Sequence, residues 1–200
     1  MDTKELFENY IFGWMCRDIE REIEWARRGD DGGNALCALG LLAYTEFMGR
    51  FLSNISYVRH PLKSDKDKFN AFLSYMGSEY EPLVFRKNLD VYNIFRCGLA
   101  HEYFIKRDCT IAILNSTPGR LSIYGPEQSI KSYTGKRKLS YVNKPAKCGL
   151  GIANNGGYWF IVEKYYQDFR IACEKLYAEL QVPRQTLSVY EIRPTIMSSS

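Results

Sequence analysis

Arg96 is followed five residues later by His101, and two further on by Tyr103, in the run Asn93-Ile94-Phe95-Arg96-Cys97-Gly98-Leu99-Ala100-His101-Glu102-Tyr103-Phe104. The imidazole is the side chain whose unperturbed pKa lies nearest neutrality, so it can take a proton from a hydroxyl or return one to a leaving oxygen. A guanidinium offers its planar fork of donors to the oxygens of a phosphorane. Together the two suit cleavage of a phosphodiester by RNA's own 2′-hydroxyl. That chemistry needs no metal, and DNA, lacking the hydroxyl, is immune to it. An Arg five residues before a His is common enough by chance that the surroundings have to carry the argument.

On an α-helix successive residues turn by about 100°, which sets Arg96 and His101 about 140° apart, flanking a face rather than sharing a stripe. Asn93, Cys97 and Ala100 lie between them as supporting residues, and Tyr103 returns to the direction of Arg96. Small residues in the middle of the face let a second helix approach closely. A two-fold copy would bring two Arg-His pairs around one cleft, so a homodimer through this face is expected.

The elements that must position this helix are legible from hydrophobic spacing. Residues 3 to 28 carry Leu6, Phe7, Tyr10, Ile11, Trp14, Met15, Ile19, Ile23 and Ala26 at helical intervals, predicting a long first helix with these side chains inward. It stops at Gly29-Asp30-Asp31-Gly32-Gly33, and Asn34 can cap the next. That second helix, Ala35 to about Tyr57, is apolar over most of its circumference and predicts a central position, with Gly40, Ala43 and Gly49 admitting neighbouring backbones. Glu46 lies within it and could meet Arg96 or His101. A carboxylate at the helix rim is the more ordinary reading, and no catalytic role is assigned to it.

Arg59-His60-Pro61 ends this helix, making His60 a turn residue. Ser64-Asp65 can cap a third helix over about 66 to 77, with Phe69, Phe72, Leu73 and Met76 inward. A fourth, roughly 87 to 106, carries Arg96 and His101. From Cys109 the period changes to that of a β-hairpin, Thr110 to Leu114 paired with Leu121 to Tyr124. Beyond it a glycine-rich and proline-rich stretch predicts a long loop with one or two short strands. A final helix is expected from near Tyr158 to about Gln181, followed by Pro183.

The fold expected is therefore mainly α: an antiparallel bundle of about five helices with a small inserted β-hairpin region. One domain would span 1–182, the insertion lying at about 109–157, and 183–200 would form an extended tail. Between Glu127 and Glu163 there is no acidic residue, while Lys131, Lys136, Arg137, Lys138, Lys144 and Lys147 supply positive charge among Tyr133 and Tyr141. Such a loop could hold an RNA backbone and stack bases without reading sequence.

Composition sets outer bounds. A net charge of +4 is too mild to identify a partner, and six cysteines without a C-x-x-C pair, beside two histidines, point to buried reduced thiols rather than a metal site or cofactor. The first residues lack the apolar run of a signal peptide. The longest apolar stretch, Ala35 to Tyr44, falls short of the roughly 20 residues a membrane span needs. A soluble cytoplasmic protein with no membrane partner is the expectation.

The run Arg96-Cys97-Gly98-Leu99-Ala100-His101 resembles the R-x4-6-H motif of the HEPN superfamily of helical-bundle proteins, and with Glu102-Tyr103 it matches the longer R-x4-H-x-Y form of some toxin members. The resemblance is specific over about a dozen residues, is supported by the helical layout, and does not cover the β region. It implies a metal-independent, dimeric endoribonuclease of a toxin-antitoxin or antiviral defence system. Arg96 and His101 would be catalytic, leaving 2′,3′-cyclic phosphate and 5′-hydroxyl ends. In members with the longer motif a nucleotidyltransferase antitoxin can adenylylate the Tyr corresponding to Tyr103, so such an antitoxin is an implied partner. Where active members often carry Asn, Asp or His after the Arg, this chain has Cys97. A thiol is a poor hydrogen-bond partner, which predicts a less firmly oriented Arg96.

The alternative function is a non-catalytic module of the same fold that binds nucleotide, RNA or a protein partner. Its residue-level counterparts are a salt-bridging Arg96, a hydrogen-bonded His101 near the core, a packing Tyr103 and a merely solvated lysine loop.

Overall fold

Thr3–Glu5, Leu6–Met15 and Cys16–Arg27 run on as one helix, α1, opened by Asp2, whose carboxylate accepts from the Glu5 N–H at 2.7 Å. In the computed structural model, which describes residues 2–28, 33–55, 61–85, 90–102, 109–114, 121–124, 148–152 and 158–181, Leu6–Met15 is π-helical. Hydrogen bonds from residue i to i+5 widen the turn, as in the Cys16 N–H donating to the Ile11 carbonyl. Buried positions then recur five apart: Leu6, Ile11 and Cys16 are 4%, 0% and 2% exposed. Tyr10 and Trp14, expected inward on the tighter α period, are rotated out by this wider turn to 36% and 53% exposure.

Helix α2, Asn34–Gly49, continues as a 3₁₀ turn over Arg50–Asn54. Asn34 is its first helical residue and not the cap. The cap position falls on Gly33, whose φ of 93° lies in the left-handed region that glycine adopts without strain. The central placement of α2 is as expected: it packs against α1 and against the helices over Asp65–Tyr75, Tyr92–Glu102 and Val162–Leu180. Because α2 runs past the apolar core of its sequence, Ala35–Asn54 reaches 20 residues, long and apolar enough to cross a membrane by length and composition. This exceeds the apolar stretch from Ala35 to Tyr44, and 61% of the window is buried inside the fold.

Helix α3, Asp65–Tyr75, begins with a reciprocal capping box. The Ser64 hydroxyl accepts from the Asp67 N–H at 3.1 Å, and the Asp67 carboxylate accepts from the Ser64 N–H at 3.0 Å. Phe69, Phe72 and Leu73 are fully buried. A short helix α4, Glu81–Phe85, precedes α5, Tyr92–Glu102, which carries Arg96 and His101; α6 covers Val162–Leu180.

Among the described residues four strands form one mixed sheet: β1 (Cys109–Leu114), β2 (Leu121–Tyr124), β3 (Leu150–Ile152) and β4 (Tyr158–Ile161), in the order β2-β1-β4-β3. The expected hairpin is present, β1 and β2 pairing antiparallel with Ile111 opposite Tyr124 and Leu114 opposite Leu121. The expected start of the last helix near Tyr158 is corrected: Tyr158-Trp159-Phe160-Ile161 is a strand, parallel to β1 and antiparallel to β3. Three aromatics and a β-branched residue in succession favour a pleated, half-buried surface, and α6 starts only at Val162.

The described helices and strands share one apolar core. Inside it Thr45 donates to the Leu41 carbonyl, so the fully buried Tyr165 donates its hydroxyl proton to Thr45 at 2.8 Å. Buried Tyr80 donates to Asp168 at 2.7 Å and accepts from the Gly149 N–H at 2.8 Å, fastening the approach to β3 onto α6. Cys16, Cys37, Cys148 and Cys173 are buried free thiols, as expected. Burial raises each of their pKa values, that of Cys37 to about 12.

Candidate functional site

Helix α5 is anchored at its start by Asp90. The Asp90 carbonyl accepts from Ile94 N–H at 2.8 Å, and its carboxylate accepts from the Asn93 backbone at 3.2 Å and from the Asn93 amide side chain at 2.5 Å. Lys66 of α3 adds an ion pair at 2.6 Å. Burial alone would raise the Asp90 pKa; hydrogen bonds from Lys66 and Asn93 outweigh it and hold the carboxyl below its ordinary value. Asn93, expected on the site face, is thus occupied in the cap. Replacing Asp90 with alanine is expected to cost about 1 kcal/mol at neutral pH. Because the folded pKa is depressed, that contribution is present above the ordinary value of 3.8 and is lost as pH falls through the folded value. Denaturant unfolding of wild type and Asp90→Ala, compared at neutral and acid pH, checks this: the gap between them closes in acid.

The whole of Tyr92–Glu102 is π-helical, and this changes the geometry of the Arg-His pair. With i→i+5 hydrogen bonding the turn widens to about 4.4 residues, so residues five apart come within about 50° of one another around the helix, against about 140° on an α-helix. Arg96 and His101 therefore stand one turn apart on the same side, instead of flanking a face as an α-helix would set them. The apolar residues obey the same repeat, Ile94 and Leu99 being 4% and 3% exposed on the opposite side with Phe95 and Gly98. Asn93, Ala100 and His101 are exposed, and Arg96 and Cys97 half-buried, so one edge of the helix presents all five.

Arg96 is held from α2. Its Nε stands 2.7 Å from Glu46 Oε2, the side chains being 20% and 10% exposed, in an ion contact off the line of a straight N–H···O bond. Its guanidinium also lies 5.8 Å from the centre of the Tyr92 ring. Burial, then the Glu46 charge, pushes the Tyr92 phenol up to about 12, so it stays neutral. Glu46 is therefore not a rim carboxylate: with 8% of its surface exposed it is inside, where a charge persists only if paired. Orientation of Arg96 comes from Glu46 and Tyr92, not from position 97. The available sequence signal was a single carboxylate in an otherwise apolar helix.

Tyr103, His60, the loop residues Lys131, Tyr133, Lys136, Arg137, Lys138, Tyr141, Lys144 and Lys147, and the tail 183–200 lie outside the described residues. A shallow cavity of about 320 Å³ lies on α1, lined by Glu5, Glu8, Asn9, Tyr10, Gly13, Trp14 and Arg17, and includes none of the expected site residues. Among the described residues no cluster of His, Cys, Asp or Glu could hold a metal ion. No family model, curated protein or solved structure matches the chain.

Proposed function

We propose that the chain is an endoribonuclease that cleaves RNA through its 2′-hydroxyl, with Arg96 and His101 as the catalytic residues. The observation that carries this is the π-helical turn, which brings a braced guanidinium and a solvent-exposed imidazole to the same side of α5, about one turn apart. His101 takes the 2′-hydroxyl proton and the freed oxygen attacks phosphorus. Arg96 meets the charge on the phosphorane. The bond to the 5′ oxygen then breaks and that oxygen leaves with a proton, giving 2′,3′-cyclic phosphate and 5′-hydroxyl ends. The exposed edge, with Ala100 beside Cys97, is also the face through which two copies would meet, and an imidazole from each could then serve as base and acid. A toxin or antiviral defence effector, silenced at Tyr103 by a nucleotidyltransferase antitoxin, is the setting that the HEPN resemblance implies.

One observation favours the non-catalytic module: Arg96 already holds a carboxylate of its own chain. Incubation of the folded protein with single-stranded RNA in excess EDTA separates the two. The ribonuclease reading expects fragments with cyclic phosphate ends; a well-folded dimer that binds RNA and never yields a product would leave the module.

A further inference from the structure

Three helices converge beside Arg96. Glu46 of α2 holds Arg96, and Asp90, at the head of α5, holds Lys66 of α3. Gly49 of α2 lies so close to α3 that a Cβ there would stand 2.0 Å from the Lys68 carbonyl oxygen. Arg50 follows Gly49 and lies four residues beyond Glu46, so it emerges on the same side of α2, about 5–6 Å along the helix surface. The other cations at this junction are matched, Arg96 by Glu46, Lys66 by Asp90 and Lys68 by Asp65 at 3.0 Å. Arg50 is exposed and, among the described residues, has no carboxylate partner; its guanidinium lies 5.9 Å from the centre of the Phe47 ring. The Asp65 carboxyl registers this proximity. It is held below its ordinary value first by the Lys68 hydrogen bond and charge, with Arg50 and Arg96 adding to them.

We propose that Arg50 is a phosphate-binding residue of a subsite next to Arg96, taking the phosphate adjacent to the scissile one on a single RNA strand. An exposed guanidinium set against an aromatic ring is partly ordered before binding, and its donor fork fits a phosphate. Helix spacing sets the Arg50 Cβ about 5–6 Å from that of Glu46, the carboxylate that holds Arg96; this is on the scale of one nucleotide step, and the RNA would run from Arg96 toward the junction of α2 and α3. This inference rests on the ribonuclease reading of Arg96 and His101.

The test compares a dinucleotide, which has only the scissile phosphate, with a tetranucleotide, using wild type, Arg50→Gln and Arg50→Lys. Arg50→Gln is expected to raise KM for the tetranucleotide about tenfold with kcat little changed. The dinucleotide should be unaffected, Arg50→Lys should recover part of the loss, and the salt dependence of tetranucleotide binding should fall by about one phosphate contact. Equal effects on both substrates, or none on either, overturn the assignment. If wild type cleaves neither substrate, the ribonuclease reading fails by itself, and fluorescence anisotropy with a labelled tetranucleotide still decides Arg50. Weaker binding with a shallower salt slope in Arg50→Gln upholds the phosphate contact, and unchanged or absent binding overturns it.

Discussion

His101→Ala is expected to lower RNA cleavage by about a thousandfold, within the range for loss of a general acid-base, while the unfolding midpoint stays close to that of wild type. The imidazole is exposed, so removing it empties no core space. Arg96→Ala should lose activity to a similar degree, about a hundred- to a thousandfold for a lost oxyanion stabiliser, but it should also unfold more easily. It leaves Glu46, 8% exposed, as a buried carboxylate without its cation. Stranding one partner of a buried pair costs about 3 kcal/mol, somewhat less here because Arg96 keeps 20% of its side chain exposed. Adding Glu46→Gln to Arg96→Ala removes the stranded charge and should restore most of the stability and none of the activity. Denaturant unfolding alongside kcat/KM for the four proteins reads both quantities. Equal destabilisation of the two single variants would contradict the Glu46 brace, and full cleavage by His101→Ala would remove the imidazole from the mechanism.

Gly49→Ala is expected to destabilise the fold by about 3 kcal/mol or more. A Cβ at this position would meet the Lys68 carbonyl oxygen at 2.0 Å, its carbon at 2.5 Å and its Cα at 2.9 Å. All three are backbone atoms, so relief requires α2 and α3 to separate. The helix-propensity gain of alanine over glycine, about 1 kcal/mol, is too small to reverse the sign. Glu46 lies one turn back from Gly49, so cleavage should fall together with stability. Gly40→Ala is the contrast: its Cβ would meet only the Ile19 Cδ1 at 2.9 Å, the far end of a flexible side chain, and should be tolerated much better. Urea unfolding of the two variants decides the matter, and a Gly49→Ala protein as stable as wild type would refute the close approach.

Much of the scaffold is legible before any coordinates. Ser64 and Asp67 announce α3 by a local cap, two short strand-like runs, Thr110–Leu114 and Leu121–Tyr124, separated by a turn announce the hairpin, and the apolar circumference of α2 announces its central place. The errors have two physical origins. An α period turns Tyr10 and Trp14 inward and sets Arg96 and His101 about 140° apart on α5, and neither π-helical segment keeps that period. The other origin is tertiary pairing. Tyr158–Ile161 joins a sheet because β1 and β3 lie on either side of it, and Glu46 finds Arg96 fifty residues away in sequence, neither of which local spacing records. The candidate pair Arg96 and His101 rests on residue type and interval alone, and that interval equals the i→i+5 hydrogen-bond spacing of the helix the two occupy.

The central claim, that Arg96 and His101 use the 2′-hydroxyl of RNA as nucleophile, is tested most directly by one substrate change. Wild-type protein in excess EDTA is given a short single-stranded RNA, and the same strand with a single 2′-deoxy nucleotide at the cleaved linkage. The mechanism predicts cleavage of the first to a 2′,3′-cyclic phosphate and a 5′-hydroxyl, with no detectable cut at the deoxy linkage of the second. Cleavage of both strands at equal rates would contradict it.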